Sequence, residues 1–244
     1  MSSKVSLSFS NLVHALNRRV FMKFVLPSPY IKIMQTQLFD TTQTDSLLNV
    51  LPKDGRVNYF LGIFDEASCA DLFNKLRASL RWQPDQVYLF GKIITTKREV
   101  AWVGDMGCSY TYSGVQKHPQ AWTPELLLIK CKIESLAQFE FNSCLLNYYH
   151  SGSEGMGWHS DDEIELDSKA PIASLSLGGV RKFAFKHKVD KMTAPLFLEN
   201  GSALIMHPPT QKHWNHGLLK TKLIVAPRIN LTFRKINLGY EIAN

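Results

Sequence analysis

The chain has 244 residues, enough for one domain with a sizeable core, and its 45% hydrophobic and 20% charged residues are the balance of a folded protein, not a disordered one. The net charge of +7 has the sign of a nucleic-acid binder, but five of the 28 basic residues (Lys4, Arg18, Arg19, Lys23 and Lys32) lie in residues 1–39, which hold no acid. The remainder carries 23 basic and 21 acidic residues, so bulk charge identifies no ligand and local patches must carry that argument.

No run of about 18 apolar residues occurs, so no membrane-spanning helix is expected. Cys69, Cys108, Cys131 and Cys144 are widely spaced and form no CxxC pair. They read as reduced thiols in an intracellular, reducing compartment, cytoplasm or nucleus.

Residues 1–33 are Ser-rich, basic and free of acids, the composition of an organelle-targeting presequence. An untethered tail, or a start at Met22 or Met34, is the plainer alternative. The stretch Thr41–Asn49 is polar, and Pro52-Lys53-Asp54-Gly55 is a turn. Residues 1–56 are therefore expected as an N-terminal extension and residues 57–238 as the folded domain.

Asp65–Trp82 has Cys69, Leu72, Leu76 and Leu80 near helical spacing. Thr123-Pro124-Glu125 is a helix start: a capping residue, a proline at the first helical position, then an acid in the first turn. That helix is expected to reach Phe139, with Leu126, Ile129, Ile133 and Leu136 on one side. Strand-like runs are Gln86–Ile94, Cys108–Ser113, Cys144–Tyr149, Ile172–Leu177, Lys182–Lys186, Ser202–Met206 and Ile229–Ile236. Helices first and many short alternating strands later predict an α+β fold. Its core is a double-stranded β-helix, or jelly roll, with the N-terminal helices packed on the sheet.

His159-Ser160-Asp161 is the first chemical signal. In an extended segment residues i and i+2 project to the same side, so one imidazole and one carboxylate can meet one metal ion. With a third ligand on the same face, three positions stay open, the arrangement of non-haem iron(II) oxygenases. A bare HxD is common by chance, and an ordinary polar turn is its bland reading. Three histidines compete for the third place: His207, His213 and His216.

In a strand over Arg228–Arg234, positions 228, 230, 232 and 234 share a face carrying Arg, Asn, Thr and Arg. If that face points inward, two arginines need an anion, and a dicarboxylate suits them. If it points outward, it is a solvated face over a buried apolar one.

The ordered run of Asn147-x-Tyr149, His159-x-Asp161-x-Glu163, His216 and Arg228-x-Asn230-x-Thr232-Phe233-Arg234 resembles the AlkB family of nucleic-acid dealkylating dioxygenases. It is most similar to the animal members that repair double-stranded DNA. Supporting stretches include SDDEIEL (160–166) and APRINLTFRKI (226–236), and the likeness spans Val57 to Ile236. The resemblance implies His159, Asp161 and His216 as Fe(2+) ligands. It implies Arg228 and Tyr149 on the distal carboxylate of 2-oxoglutarate, and Asn147, Asn230 and Arg234 elsewhere about the co-substrate. Glu163 and Tyr110 resemble the base pocket, and Tyr112 stands where relatives often carry Phe. The implied reaction is oxidative dealkylation of 1-methyladenine or 3-methylcytosine in DNA, with 2-oxoglutarate and O2 giving succinate, CO2 and formaldehyde.

Phe90 precedes Gly91-Lys92 and is expected on an exposed turn, where its ring fills the stack vacated by a flipped base. Lys97, Arg98, Arg181, Lys182, Lys186, His187 and Lys188 are candidate phosphate contacts. A monomer without a membrane partner is expected. RNA is the alternative substrate, and a non-catalytic jelly-roll binding module is the alternative class.

Overall fold

The structure is a computed structural model that describes residues 49–89, 91–108, 110–112 and 115–238. In chain order the elements are β1 (Arg56–Phe60), α1 (Glu66–Ser79), β2 (Gln83–Leu89), β3 (Lys92–Gly104), β4 (Tyr110–Tyr112), β5 (Val115–Lys117), α2 (Pro124–Ala137), β6 (Ser143–Tyr149) and β7 (Met156–His159). Then follow β8 (Ile172–Gly178), β9 (Arg181–His187), β10 (Thr193–Leu198), β11 (Ser202–His207), α3 (Thr210–His213), β12 (Trp214–Leu218) and β13 (Arg228–Arg234). A seven-stranded sheet has the order β1-β11-β8-β13-β6-β3-β2, and a four-stranded sheet has the order β10-β9-β12-β7. All the ladders within these two sheets are antiparallel. The expected jelly-roll core with helices on one sheet is present.

The two long helices, α1 and α2, start at side-chain caps. Asp65 accepts from the Ser68 N–H at 2.7 Å, and Thr123 Oγ1 accepts from the Leu126 N–H at 3.3 Å. The first helix stops three residues before Trp82, whose indole N–H instead donates to the Leu76 carbonyl at 3.3 Å. The second stops at Ala137, because Gln138 turns left-handed with φ 52°. Among the described residues, no helix is long and apolar enough to cross a membrane.

The expected single run Gln86–Ile94 is two strands. The chain reverses at Gly91, φ 77°, a conformation glycine adopts without a Cβ clash, and β2 pairs back on β3 from Leu89↔Lys92 onward. Residues before Val57 also belong to the packed structure. Leu51 is buried beside Trp214, and Asn49 Oδ1 accepts from the Val57 N–H at 2.8 Å.

The large sheet has two different faces. On β13, Ile229, Leu231 and Phe233 pack beneath the helices with Leu72, Leu76, Leu126, Ile129 and Ile133. Strand alternation sends Arg228, Asn230, Thr232 and Arg234 the other way, toward the small sheet. That face is therefore enclosed between the sheets and not solvated.

Phe233 is fully buried, with ring centroids 6.4 Å from Trp122 and 6.1 Å from Phe141. Phe233→Ala should cost about 3–5 kcal/mol. Denaturant unfolding should show that loss as a lowered midpoint at unchanged slope.

Candidate active site

β7 and β12 are antiparallel neighbours, and His159 and His216 are direct partners in that ladder. Their ring centroids stand 4.4 Å apart. Asp161 lies two residues past the end of β7, its backbone N–H donating to Gln211 Oε1 at 3.0 Å. Asp161 Oδ1 is 3.7 Å from His159 Nε2, and Oδ2 is 3.8 Å from His216 Nε2. The three ligand atoms all lie within 4.8 Å of one another.

The same geometry separates the competing histidines. His207 Nε2 is 2.9 Å from Asn58 Oδ1. The His213 ring stacks on His187 at 6.5 Å. Neither joins the cluster. His159 Nδ1 sits 2.9 Å from the Gly157 carbonyl, which places the proton on Nδ1 and leaves Nε2 as the ligand atom. A slip in the β7–β12 register between His216 and Leu218 turns Met156 inward as well, so that it lines the same cavity.

Burial pulls the His216 imidazole down to about 4 against the opposing pull of Asp161, so it is neutral at pH 7. Burial pushes the Asp161 carboxyl up. Arg234, His216 and His159 outweigh it and hold the group below the usual carboxylate range. Two imidazoles and an ionised carboxylate, converging on one face with Asp161 and His216 buried, form a donor set that fits iron(II).

Beside this cluster lies a narrow cavity of about 60 Å³, lined among others by Asn147, Tyr149, Ser174, Arg228, Asn230 and Arg234. Arg228 is 1% exposed. It donates to Ser176 Oγ at 2.9 Å and Asn230 Oδ1 at 2.8 Å, while its Nε finds no partner. Asn230 in turn donates to Thr232 Oγ1 at 2.8 Å and accepts from Ser174 Oγ at 2.9 Å. Burial lowers the Arg228 guanidinium to about 10, so it stays charged at neutral pH, and no carboxylate pairs with it among the described residues. Tyr149 pairs with Arg228 across the β13–β6 ladder, its ring centroid 5.6 Å from the guanidinium carbon. Asn147 Oδ1 is buried and unpaired. Arg234 donates to Asp161 Oδ1 at 2.6 Å.

A larger cleft of about 790 Å³ adjoins this cavity, lined by Gln86, Arg98, His118, Asn147, Met156, Glu163 and Arg234 among others. Glu163 is exposed there, and its charge acts on Arg234. Tyr110 and Tyr112 stand on β4, opposite Lys117 and Val115. Phe90 lies outside the described residues, between β2 and β3.

The expected cationic contacts divide sharply. Arg181 is 1% exposed and gives its guanidinium to the backbone carbonyls of Ser151, Gly152, Glu154 and Leu219. Arg98 is buried in an ion pair with Asp85 and lies 3.1 Å from Met156 Sδ. Lys188 donates to Ser160 Oγ and the Gln211 carbonyl, each at 2.8 Å. His187 is buried, with Nδ1 2.9 Å from Asp190 Oδ1. Lys97 and Lys182 are exposed, and Lys186 is half-buried.

Several residues that shape the site escaped the sequence reading. Ser174 and Ser176 were visible as the polar phase of alternating Ala173-Ser174-Leu175-Ser176-Leu177. Gln211, which holds the backbone of Asp161 from 50 residues away, left no local signal.

The description of the matching family model is the 2OG-Fe(II) oxygenase superfamily, and it covers residues 56–234. The chain belongs to this superfamily. It is an iron(II)- and 2-oxoglutarate-dependent dioxygenase. It is 38% identical over 185 residues to the mouse (Mus musculus) DNA oxidative demethylase ALKBH2, covering 71% of this chain and 77% of that protein. To the human (Homo sapiens) ALKBH2 it is again 38% identical over 185 residues, 71% of each chain. To the mouse alpha-ketoglutarate-dependent dioxygenase alkB homolog 3 it is 38% identical over 151 residues, 57% of this chain and 51% of the relative. The solved structure of OsALKBH1 shares the fold, with a TM-score of 0.54 at 16% identity over 76% of this chain and 99% of that one.

For this oxygenase, His159→Ala, Asp161→Ala and His216→Ala should each abolish binding of one equivalent of manganese(II), used as an iron(II) surrogate in calorimetry. His213→Ala and His207→Ala should retain it. Arg181→Ala should act on stability. Losing a buried guanidinium that joins four carbonyls should lower the melting temperature by several degrees.

Proposed function

We propose that this oxygenase removes alkyl groups from damaged bases in DNA, with 1-methyladenine and 3-methylcytosine as substrates. The observation that carries the co-substrate half is Arg228, a buried cation with no anionic partner among the described residues, beside a three-ligand cluster whose Asp161 and His216 are buried. The substrate half rests on the ALKBH2 and alkB homolog 3 relatives and on the cleft that reaches Asn147, Met156 and Arg234.

In this reading His159, Asp161 and His216 hold the iron. Arg228 and Tyr149 take the distal carboxylate of 2-oxoglutarate, and Asn147, Asn230 and Arg234 line the rest of its bed. Bound iron with 2-oxoglutarate and O2 would supply the oxidising power that hydroxylates the alkyl carbon, after which the product collapses to formaldehyde and the repaired base. The protein's residues orient and enclose. Gln211 fixes the Asp161 backbone, Gly157 sets the His159 tautomer, and Arg234 keeps Asp161 ionised. Glu163, Tyr110 and Tyr112 border the base, Arg98 supports the cleft floor, Lys186 meets phosphate, and Phe90 enters the vacated stack. The catalytic domain takes in the packed residues from Asn49 through β1 as well as residues 57–238. The protein acts as a monomer in a reducing compartment, the nucleus or cytoplasm.

The deciding experiment supplies iron(II), 2-oxoglutarate and matched DNA and RNA oligonucleotides carrying one 1-methyladenine. Formaldehyde and succinate should appear with DNA in equal amounts. Turnover on RNA alone would reassign the substrate, and no coupled turnover on either would refute the reading.

Arg228→Ala leaves a buried carboxylate unpaired, a loss of about 2–5 kcal/mol. The 2-oxoglutarate concentration for half-maximal turnover should rise at least about thirtyfold, with the manganese(II) stoichiometry unchanged.

Phe90→Ala should slow single-turnover repair in duplex DNA by about tenfold, because a stacking partner is worth ~1–3 kcal/mol. Repair of the same lesion in a single strand should change far less. Equal losses on both substrates, with a large drop in melting temperature, would make Phe90 a core residue.

A further inference from the structure

The small sheet has an inner face that carries His159 and His216 and an outer face that carries a different chemistry. On β9, Phe183 and Phe185 pack inward, so Lys182, Ala184 and Lys186 point outward. Their partners on β10 are Phe197, Pro195 and Thr193, and on β12 Asn215 and Gly217 stand opposite Lys186 and Ala184. The His159↔His216 pairing puts Trp158 beside Gly217 on the same outer face. One row across the sheet therefore reads Trp158, Gly217, Ala184, Pro195.

Three properties of this face point to one occupant. It displays two large exposed aromatic side chains: Trp158 is 43% exposed and Phe197 is 57% exposed. The row that runs from Trp158 is Gly217, Ala184 and Pro195, small residues of which the first two are buried beneath their neighbours, so the floor beside the indole is low. Lys182 and Lys186 flank that row from either side, four residues or roughly 13 Å apart along β9. Lys186 Nζ lies 5.7 Å from the Trp158 ring centroid. No outward position of these four strands carries an acid.

We propose that the outer face of the small sheet is a track for single-stranded nucleic acid, in which an unpaired base stacks on Trp158 while Lys182 and Lys186 neutralise the phosphates on either side. The chemistry is an aromatic platform between cations, which needs an open base face and a polyanion. A duplex offers the charge but not the open base. An acidic peptide would use the lysines and leave the indole idle. The track rests on the proposed action on nucleic acid and deepens it. Trp158 directly precedes the ligand His159, so a strand held on the track lies one sheet thickness from the reaction centre.

The test is fluorescence anisotropy with a labelled, unmethylated 15-residue oligothymidylate and iron-free protein, accompanied by thermal melts. Trp158→Ala should weaken binding about tenfold, in line with ~1–3 kcal/mol per stacked base, and Trp158→Phe should restore most of it. The double variant Lys182→Glu with Lys186→Glu should weaken binding further. It should also flatten the salt dependence by roughly 1.4, the slope expected for two phosphate contacts to a single strand. Lys182 is exposed and Lys186 half-buried on the outer face, outside the core, so this variant remains informative if Trp158→Ala melts early. Wild-type affinity and salt slope in the Trp158→Ala and double-lysine variants would overturn the track. So would an equal loss by Trp158→Ala on a blunt duplex, which presents no open base. Repair of methylated oligonucleotides separates the two claims. Normal turnover with no Trp158 dependence sinks the track alone, whereas no turnover and no binding by the wild type sinks the nucleic-acid reading itself.

Discussion

The constraint on which the rest of the site depends is the placement of two guanidinium groups between two sheets. Strand alternation on β13 drives Ile229, Leu231 and Phe233 into the helix-covered core, and the same alternation forces Arg228 and Arg234 into the opposite interior. A charge taken out of water is costly unless something compensates it. Arg234 is compensated within the chain by Asp161 at 2.6 Å. Arg228 receives two neutral acceptors, Ser176 and Asn230, and no carboxylate among the described residues. The fold thus holds one satisfied buried cation at the metal end and one unsatisfied buried cation farther along the strand. That asymmetry leaves the Arg228 end of the strand suited to an anionic group.

The metal end is organised by pairing more than by loops. His159 and His216 come from adjacent antiparallel strands at directly opposed positions, so their separation is set by the ladder. Asp161 needs separate support because it lies beyond the strand, and Gln211 supplies it through a backbone hydrogen bond. This division explains why α3 matters although it spans only Thr210–His213. Its glutamine side chain and its Gln211 carbonyl, which binds Lys188, tie the Asp161 segment to the sheet.

Much of this was legible in the sequence because period-two alternation is a direct record of which face is buried. The helices, the jelly-roll class and the polar face of β13 could all be read that way. What alternation cannot say is which of two faces points inward, and the solvated reading of Arg228–Arg234 fails only because a second sheet covers it. Of the strands left unread, which include β1 and β5, three have a visible reason. β7 and β12 carry glycine and polar residues at the site, and β10 contains Pro195, which an edge strand tolerates. Arg181 shows the opposite limit. A cation in a run of charges looks like a surface group, and only the turn at Ser151–Glu154, distant in sequence, reveals that its donors are consumed by carbonyls. Among His207, His213 and His216 no local pattern discriminates, because ligand choice there is a matter of which strand lies beside β7.

The cleft and the co-substrate cavity are not independent compartments. Arg98 leaves the hairpin strand β3, pairs with Asp85 on β2, and approaches both Met156 and the Tyr149 ring, the latter at 5.9 Å. Tyr149 is the residue that faces Arg228 from β6. Arg98, Tyr149 and Arg228 therefore form one continuous stack of charge and ring from the base of the β2–β3 hairpin to the interior cation. Tyr149 and Met156 both line the cavity, so Arg98 joins the base of the hairpin to the cavity wall by direct contact. The cleft wall and the cavity wall thus share side chains, and packing at one sets the shape of the other.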